Sequence, residues 1–186
     1  MISNRNQTMG RIVARAWSDS LFKGRLLADP AAAIAELEFA IPPGKSLVAV
    51  ENTAKLTHIV LTSPRYAETS SAYADIKEFG ETYTDPRLLP LKWGSHDPVF
   101  TARFKADPKA MLRYMDVVVP DTMAIAVVEN SRIQACLVLP LQPREAGQSK
   151  DFLDKIAQGN IPATIRYAGV LSAADHDQLC RELTQQ

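Results

Sequence analysis

The chain has 186 residues, 46% hydrophobic and 23% charged, and its 21 basic residues balance its 21 acidic ones. This composition is typical of one globular domain and has no basic excess of the kind that marks a nucleic-acid-binding surface. No apolar run is long enough for a membrane span, and the first residues lack the apolar segment of a signal peptide. We expect a single soluble, cytoplasmic domain over residues 1–186 that binds neither nucleic acid nor membrane.

The first part of the chain predicts two helices followed by two strands. Ser18 or Asp19 can cap a helix, and Asp29 before a proline marks a second helix start, because proline is favoured at the first helical position. Short apolar runs then predict strands at 47–50 and 59–61.

The same signals return 78 residues later without a gap. Ala28-Asp29-Pro30 recurs as Ala106-Asp107-Pro108, and Val50-Glu51-Asn52 recurs as Val128-Glu129-Asn130. Strands are again predicted, at 125–128 and 137–139. Chance similarity of short apolar patterns is the weaker explanation. We expect an α+β fold with an internal duplication of helix-helix-strand-strand units, at 17–64 and 93–143. A pseudo-two-fold should relate the units and pair their strands in one sheet, because an isolated hairpin is marginally stable.

The remaining segments belong to neither unit. Residues 65–92 form an unrepeated connector, and C-terminal helices are predicted over 148–186, at about 151–158 and 172–183. Trp17 and Trp93 open the two units at matching positions. We interpret both as core anchors that hold a helix on the strands.

Few side chains offer catalytic or metal-binding chemistry. The two cysteines and three histidines are too scattered for a disulfide framework or a closed zinc site. His58 lies in a predicted strand, which favours a structural role. The connector region contains oxygen ligands that suit a hard cation or an acid–base pair, namely Glu68, Asp75, Glu78, Glu81 and Asp85. A solvated helix face is the favoured interpretation of these carboxylates.

Several segments resemble, in order and spacing, the nitrile hydratase α subunit. The resemblance extends to the thiocyanate hydrolase γ subunit and to the nitrile-hydratase-like leader peptides of ribosomal natural products. The segments are Ala14-Arg15-Ala16-Trp17, Val48-Ala49-Val50-Glu51-Asn52-Thr53, Leu89-Pro90-Leu91-Lys92-Trp93, Asp107-Pro108-Lys109-Ala110-Met111-Leu112 and Leu137-Val138-Leu139-Pro140. The resemblance covers residues 11–169 and implies a nitrile hydratase alpha subunit-like fold.

In the enzymes of this family, a Cys-x-x-Cys-Ser-Cys claw after the second strand holds iron or cobalt. The resemblance places the three cysteine positions of this claw at Ser63, Tyr66 and Glu68. A serine hydroxyl and a phenol stay protonated near neutrality, so the anionic claw cannot form around them. We therefore expect no catalytic residue, no metal and no cofactor.

The resemblance implies three functions. The first is a non-catalytic leader or recognition scaffold in ribosomal peptide natural-product (bacteriocin-type) biosynthesis, with peptide-modifying enzymes as partners. The second is a hydratase-type enzyme subunit with an altered metal site. The third is an assembly subunit with a β-like partner. In the absence of that partner, we expect a homodimer.

Overall fold

The computed structural model describes residues 2–62, 97–114, 119–144 and 149–159, with side chains from residue 7 onward. The helices of the first half are α1 (Ile2–Ser18), α2 (Ser20–Ala28) and α3 (Pro30–Ala35), followed by strands β1 (Ser46–Glu51) and β2 (Leu56–Thr62). The second half contains α4 (Pro98–Ala106), α5 (Pro108–Tyr114), β3 (Ala124–Asn130), β4 (Gln134–Leu139) and α6 (Lys150–Ala157).

Aspartate caps begin α2 and α3, as predicted. The Asp19 Oδ1 accepts the backbone N–H groups of Leu21 and Phe22, both at 3.0 Å, and these bonds lower the pKa of Asp19. The Asp29 Oδ1 accepts the N–H of Ala32 at 3.1 Å, with a proline at the first helical position.

The helix α3 ends before the segment Pro42-Pro43-Gly44. Glu38 adopts a left-handed conformation with φ 64°, and the N–H of Phe39 donates to the carbonyl of Ile34 at 3.2 Å. The N–H of Glu38 donates to the carbonyl of Ala35 at 3.0 Å. These two bonds form a Schellman motif, which satisfies the last carbonyls of the helix and stops it.

The second half repeats this arrangement of caps. The Asp97 Oδ1 accepts the N–H groups of Val99 at 2.8 Å and Phe100 at 3.2 Å, and Asp107 accepts that of Ala110 at 2.9 Å. The two halves therefore begin their helices with the same side-chain bonds at positions 78 residues apart.

The strands pair between the halves, as predicted, but in two sheets rather than one. β1 runs parallel to β4, with Ser46 opposite Gln134. β2 runs parallel to β3, with Leu56 opposite Ala124. In the described residues each sheet has two strands, one from each half. The prediction of one sheet was wrong because the short turns between β1 and β2 and between β3 and β4 carry the chain into the other sheet.

Each sheet has its own hydrophobic core. The first core joins α1, α2, α3 and α6 to the β1–β4 sheet, and the second joins α4 and α5 to the β2–β3 sheet. Leu26 and Phe104 occupy matching positions in α2 and α4, and both are fully buried. The four strands thus have helices over one face of each sheet.

The N-terminal helix α1 and the late helix α6 close the first core together. Trp17 is 7% exposed, donates its Nε1–H to the carbonyl of Pro140 at 3.3 Å and stacks on Phe152, with ring centroids 6.1 Å apart. The predicted anchor role of Trp17 is confirmed, and Trp93 lies outside the described residues. The predicted helix at 151–158 is found as α6, whereas the one at 172–183 lies outside.

No helix in the described part of the chain is long and apolar enough to span a membrane.

Candidate functional site

The candidate site begins where β2 ends at Thr62, because the next residues are the claw positions Ser63, Tyr66 and Glu68. These three residues lie outside the described part of the chain. So do the acidic residues of the connector, together with His96, His176 and Cys180. The structure therefore describes the end of the sheet that directly precedes the claw positions, which we call the platform.

The platform is the carboxyl end of the β2–β3 sheet. Because β2 and β3 are parallel and in register, Thr62 lies opposite Asn130, the last residue of β3. The Asn130 Oδ1 accepts the backbone N–H of Cys136 at 2.7 Å. The Ser131 Oγ accepts the N–H of Gln134 at 3.1 Å. These bonds hold the turn beside the point where the claw segment leaves the sheet.

Cys136 is a candidate residue that lies far from the claw positions in the sequence. Its thiol donates to the carbonyl of Glu129 at 3.2 Å, and Glu129 is the ladder partner of Leu61 in β2. The fold therefore places a thiol against the last residues of β3, the strand that pairs with β2. The 78-residue offset of the sequence motifs contained a signal, because it aligns Cys136 with His58.

The Cys136 thiol is partly buried, and its environment favours the protonated form. Burial raises the pKa of Cys136 above its usual value, and the amide of Gln134 lies 3.8 Å from the sulfur. A thiol of this kind is neither a ready nucleophile nor a preformed thiolate ligand. Within the described ranges, no group of three or more His, Cys, Asp or Glu side chains could hold a metal ion.

The matching position in the first unit holds His58. The Asn52 Oδ1 accepts the backbone N–H of His58 at 2.8 Å and lies 3.1 Å from the ring Nδ1. We assign the proton to Nδ1, because Asn52 presents an acceptor there. Burial lowers the pKa of His58, which favours the neutral ring. The predicted structural role of His58 is confirmed.

Ion pairs join a helix to the end of a strand in both halves. Lys23 of α2 pairs with Glu51 at 2.9 Å, and Lys105 of α4 pairs with Glu129. The carboxylates at both strand ends are therefore already neutralised by lysines. Both ion pairs tie a helix to its neighbouring strand.

Comparison with known proteins identifies the family. Residues 2–70 match the family model described as nitrile hydratase, alpha chain. Over 135 residues, the chain is 30% identical to the cobalt-containing nitrile hydratase subunit alpha of Pseudonocardia thermophila, with 72% of this chain and 58% of that protein covered. The chain belongs to the nitrile hydratase alpha-like family. The match crosses Ser63, Tyr66 and Glu68, so these positions lie inside the recognised region.

Solved structures show the same fold. An Fe-type nitrile hydratase variant from Comamonas testosteroni Ni1 is 24% identical, with a TM-score of 0.57 over 82% of this chain and 66% of that chain. A recombinant thiocyanate hydrolase with partially modified cobalt centres is 16% identical, with a TM-score of 0.54 over 90% and 72%. These likenesses establish a nitrile hydratase alpha-like arrangement of helices and strands.

This nitrile hydratase alpha-like chain spans about three fifths of the length of the curated relatives it matches. The low-molecular-weight cobalt-containing nitrile hydratase subunit alpha of Rhodococcus rhodochrous is 29% identical over 138 residues, which are 59% of its length.

Proposed function

We propose that this chain is a non-catalytic member of the nitrile hydratase alpha-like family that acts as a leader or recognition scaffold in ribosomal peptide natural-product biosynthesis. One observation carries the proposal: the family match runs through residues 63–68, yet Ser63, Tyr66 and Glu68 supply no thiolate there. A low-spin iron or cobalt centre needs such soft anionic ligands.

The architecture supports a scaffold role. Two sheets, each with its own core, hold the platform at the end of β2, and the side chains around it are bound within the fold. The resemblance to cysteine-free leader proteins supplies the role, in which the folded domain is recognised by peptide-modifying enzymes. The free Cys136 agrees with a reducing, cytoplasmic compartment.

We further propose that the two halves arose by internal duplication, with units at 17–64 and 93–143, a connector at 65–92 and C-terminal helices over 148–186. The exchange of strands supports this. Moving Ser46 and its partner Gln134 by the 78-residue offset in opposite directions gives Ala124 and Leu56, which are also partners. A pseudo-two-fold that exchanges the units would produce this relation.

A subunit in a larger assembly is the second candidate function. The relatives are named alpha subunits, which favours a β-like partner or a second copy of this chain on the remaining surface. A hydratase-type enzyme with an altered metal site is the third, and Cys136 at the platform is the thiol such a site would recruit.

Affinity capture with turnover assays tests these functions. We expect the purified chain to retain peptide-modifying enzymes from its own cell extract and to hydrate neither nitriles nor thiocyanate. Capture of a β-like subunit alone would favour the assembly role. Turnover that disappears in Cys136→Ser would establish the altered enzyme and contradict the scaffold. Circular dichroism of Cys136→Ser and Cys136→Ala is the control, because it separates loss of the thiol from loss of the fold.

A further inference from the structure

The outer surface of the α1–α6 pair contains a groove with a volume of about 370 Å³. Each helix contributes one face to it, because the lining residues recur at spacings of three and four. The lining residues are Arg11, Ala14, Arg15 and Ser18 from α1, Lys150, Leu153, Asp154 and Ala157 from α6, and Leu37 after α3. A third helix can pack into the groove between two adjacent helix faces.

The two helices that form the groove are held firmly together. A Cβ placed on Gly10 would lie 1.9 Å from the carbonyl oxygen of Ile156, so the backbones touch where they cross. On the inner side of α6, Phe152 and Ile156 are buried in the first core. The groove therefore keeps its width without a ligand, which reduces the ordering cost of binding.

The floor of the groove is small and apolar. Ala14 is buried, while Leu37, Leu153 and Ala157 are partly exposed. Small side chains at Ala14 and Ala157 let a third backbone approach closely, and the two leucines supply apolar contact. This surface suits leucine-sized side chains on one face of a helix.

The rim of the groove is mainly cationic. Arg11 lies over the ring of Phe39 at 4.9 Å, and Arg15 pairs with Asp19 at 3.0 Å. Lys150 is exposed and makes no ion pair within the described residues. Asp154 is the one carboxylate among the lining residues. The three cationic side chains outnumber the two aspartates, Asp19 and Asp154, so the rim carries an excess of positive charge.

We propose that this groove binds an amphipathic helix of a partner protein, with leucine-like side chains on one face and aspartates or glutamates flanking them. The eight residues of α6 extend about 12 Å, so the groove holds two to three turns of the bound helix. This inference rests on the proposed function in one respect, namely that the chain acts by binding a partner. It does not depend on whether the claw positions bind metal.

Fluorescence anisotropy with two labelled peptides tests the proposal on the full chain. One 14-residue peptide has leucines at helical spacing flanked by glutamates, and its counterpart has lysines in place of the glutamates. We expect the acidic peptide to bind at least about tenfold more tightly, with an affinity that falls as salt is added. Equal binding of both peptides, or no binding of the acidic one, would overturn the proposal.

Variants on one helix separate the groove from general charge effects. Lys150→Glu should weaken binding of the acidic peptide about fivefold or more, whereas Lys155→Glu, an equal charge change outside the lining, should leave it within about twofold. Ala157→Arg adds a positive charge but fills the floor, and it should also weaken binding. Circular dichroism checks that each variant folds. Equal weakening by Lys150→Glu and Lys155→Glu would contradict the assignment.

Two further outcomes would assign the groove to another occupant and so overturn the proposal. Efficient bismaleimide cross-linking of Ser18→Cys to Cys180, in a chain carrying Cys136→Ser, would place the chain's own C-terminal segment there. A dimer that dissociates on Lys150→Glu would place a second copy there. Both results leave the metal content of the chain unchanged, so they are distinguishable from failure of the proposed function.

Discussion

The turns that follow β1 and β3 are built alike and differ in the side chain that they support. In the first, Asn52 accepts the backbone N–H of His58, and in the second, Asn130 accepts that of Cys136. An imidazole and a thiol have different chemistry, while the backbone bonds are the same. The comparison indicates that these asparagine hydrogen bonds serve the geometry of the fold.

The burial of the two asparagines also differs. Asn52 is 2% exposed, whereas Asn130 is partly exposed. Water can replace lost bonds at the second turn more easily than at the first. The first core is also the larger of the two, because α1 and α6 add to it. We therefore expect substitutions around the first core and the first turn to lower the free energy of unfolding more than matching substitutions elsewhere.

The largest effect is expected at the α1–α6 crossing that only the first core has. Gly10→Ala places a methyl group against the Ile156 carbonyl, so α6 must shift from α1. We expect the free energy of unfolding to fall by about 3 kcal/mol or more. Gly24→Ala is the matched control, because nothing lies within 4 Å of its Cβ position, and it should stabilise α2 by about 0.5–1 kcal/mol. Urea denaturation measures both. An unchanged stability in Gly10→Ala would show that the helices do not pack as described.

Matching core positions sharpen the comparison of the halves. Leu26 and Phe104 are both fully buried, so truncation to alanine leaves a cavity in the first or second core. We expect losses of about 2–5 kcal/mol for Leu26→Ala and about 3–5 kcal/mol for Phe104→Ala. Thermal unfolding of each variant should remain a single transition if the two cores fold as one unit. Two separate transitions would mean that the sheets unfold independently.

The asparagines of the two turns should differ less in their contribution to stability. We expect Asn52→Ala to destabilise the chain by about 1–3 kcal/mol, because it leaves the His58 N–H buried without its acceptor. Asn130→Ala should cost less, since the second turn is more exposed. Chemical denaturation of the two variants side by side decides the order. A greater loss in Asn130→Ala would reverse the comparison.

The smallest effect is a pH dependence with two opposite arms. The folded state lowers the pKa of His58 below 6.5, so it favours the neutral ring and stability falls as the pH drops below 6.5. It raises the pKa of Cys136 above 9.0, so it favours the thiol and stability falls as the pH rises above 9.0. His58→Gln should flatten only the acid arm and Cys136→Ser only the alkaline arm. Melting temperatures from pH 5 to 10 measure both, and an arm that persists in its variant would contradict its assignment.

Local chemistry explains how much of this fold could be predicted from the sequence. Asp19, Asp29 and Asp107 act as caps because their carboxylates reach N–H groups two or three residues away, a relation visible in the sequence. The strand partners could not be read in the same way. The pairing of Ser46 with Gln134 joins residues distant in the chain, and short apolar strands fit one sheet as well as two.

Some features of the candidate site could also be predicted from the sequence, and others could not. The structural role of His58 followed from its position inside a strand. The contact of Cys136 with the last residues of β3 required the tertiary fold, although the 78-residue offset of the sequence motifs aligns Cys136 with His58. Gly10 had no signal in the sequence, because only the crossing of α1 with α6 makes a side chain there impossible.

The metal content of the purified chain tests the central claim most directly. The protein should be produced with iron and with cobalt supplied, purified without chelator and analysed for both elements. We expect less than about 0.1 metal ion per chain and no visible charge-transfer band, because Ser63, Tyr66 and Glu68 provide no thiolate. About one tightly bound iron or cobalt per chain, with such a band, would contradict the account.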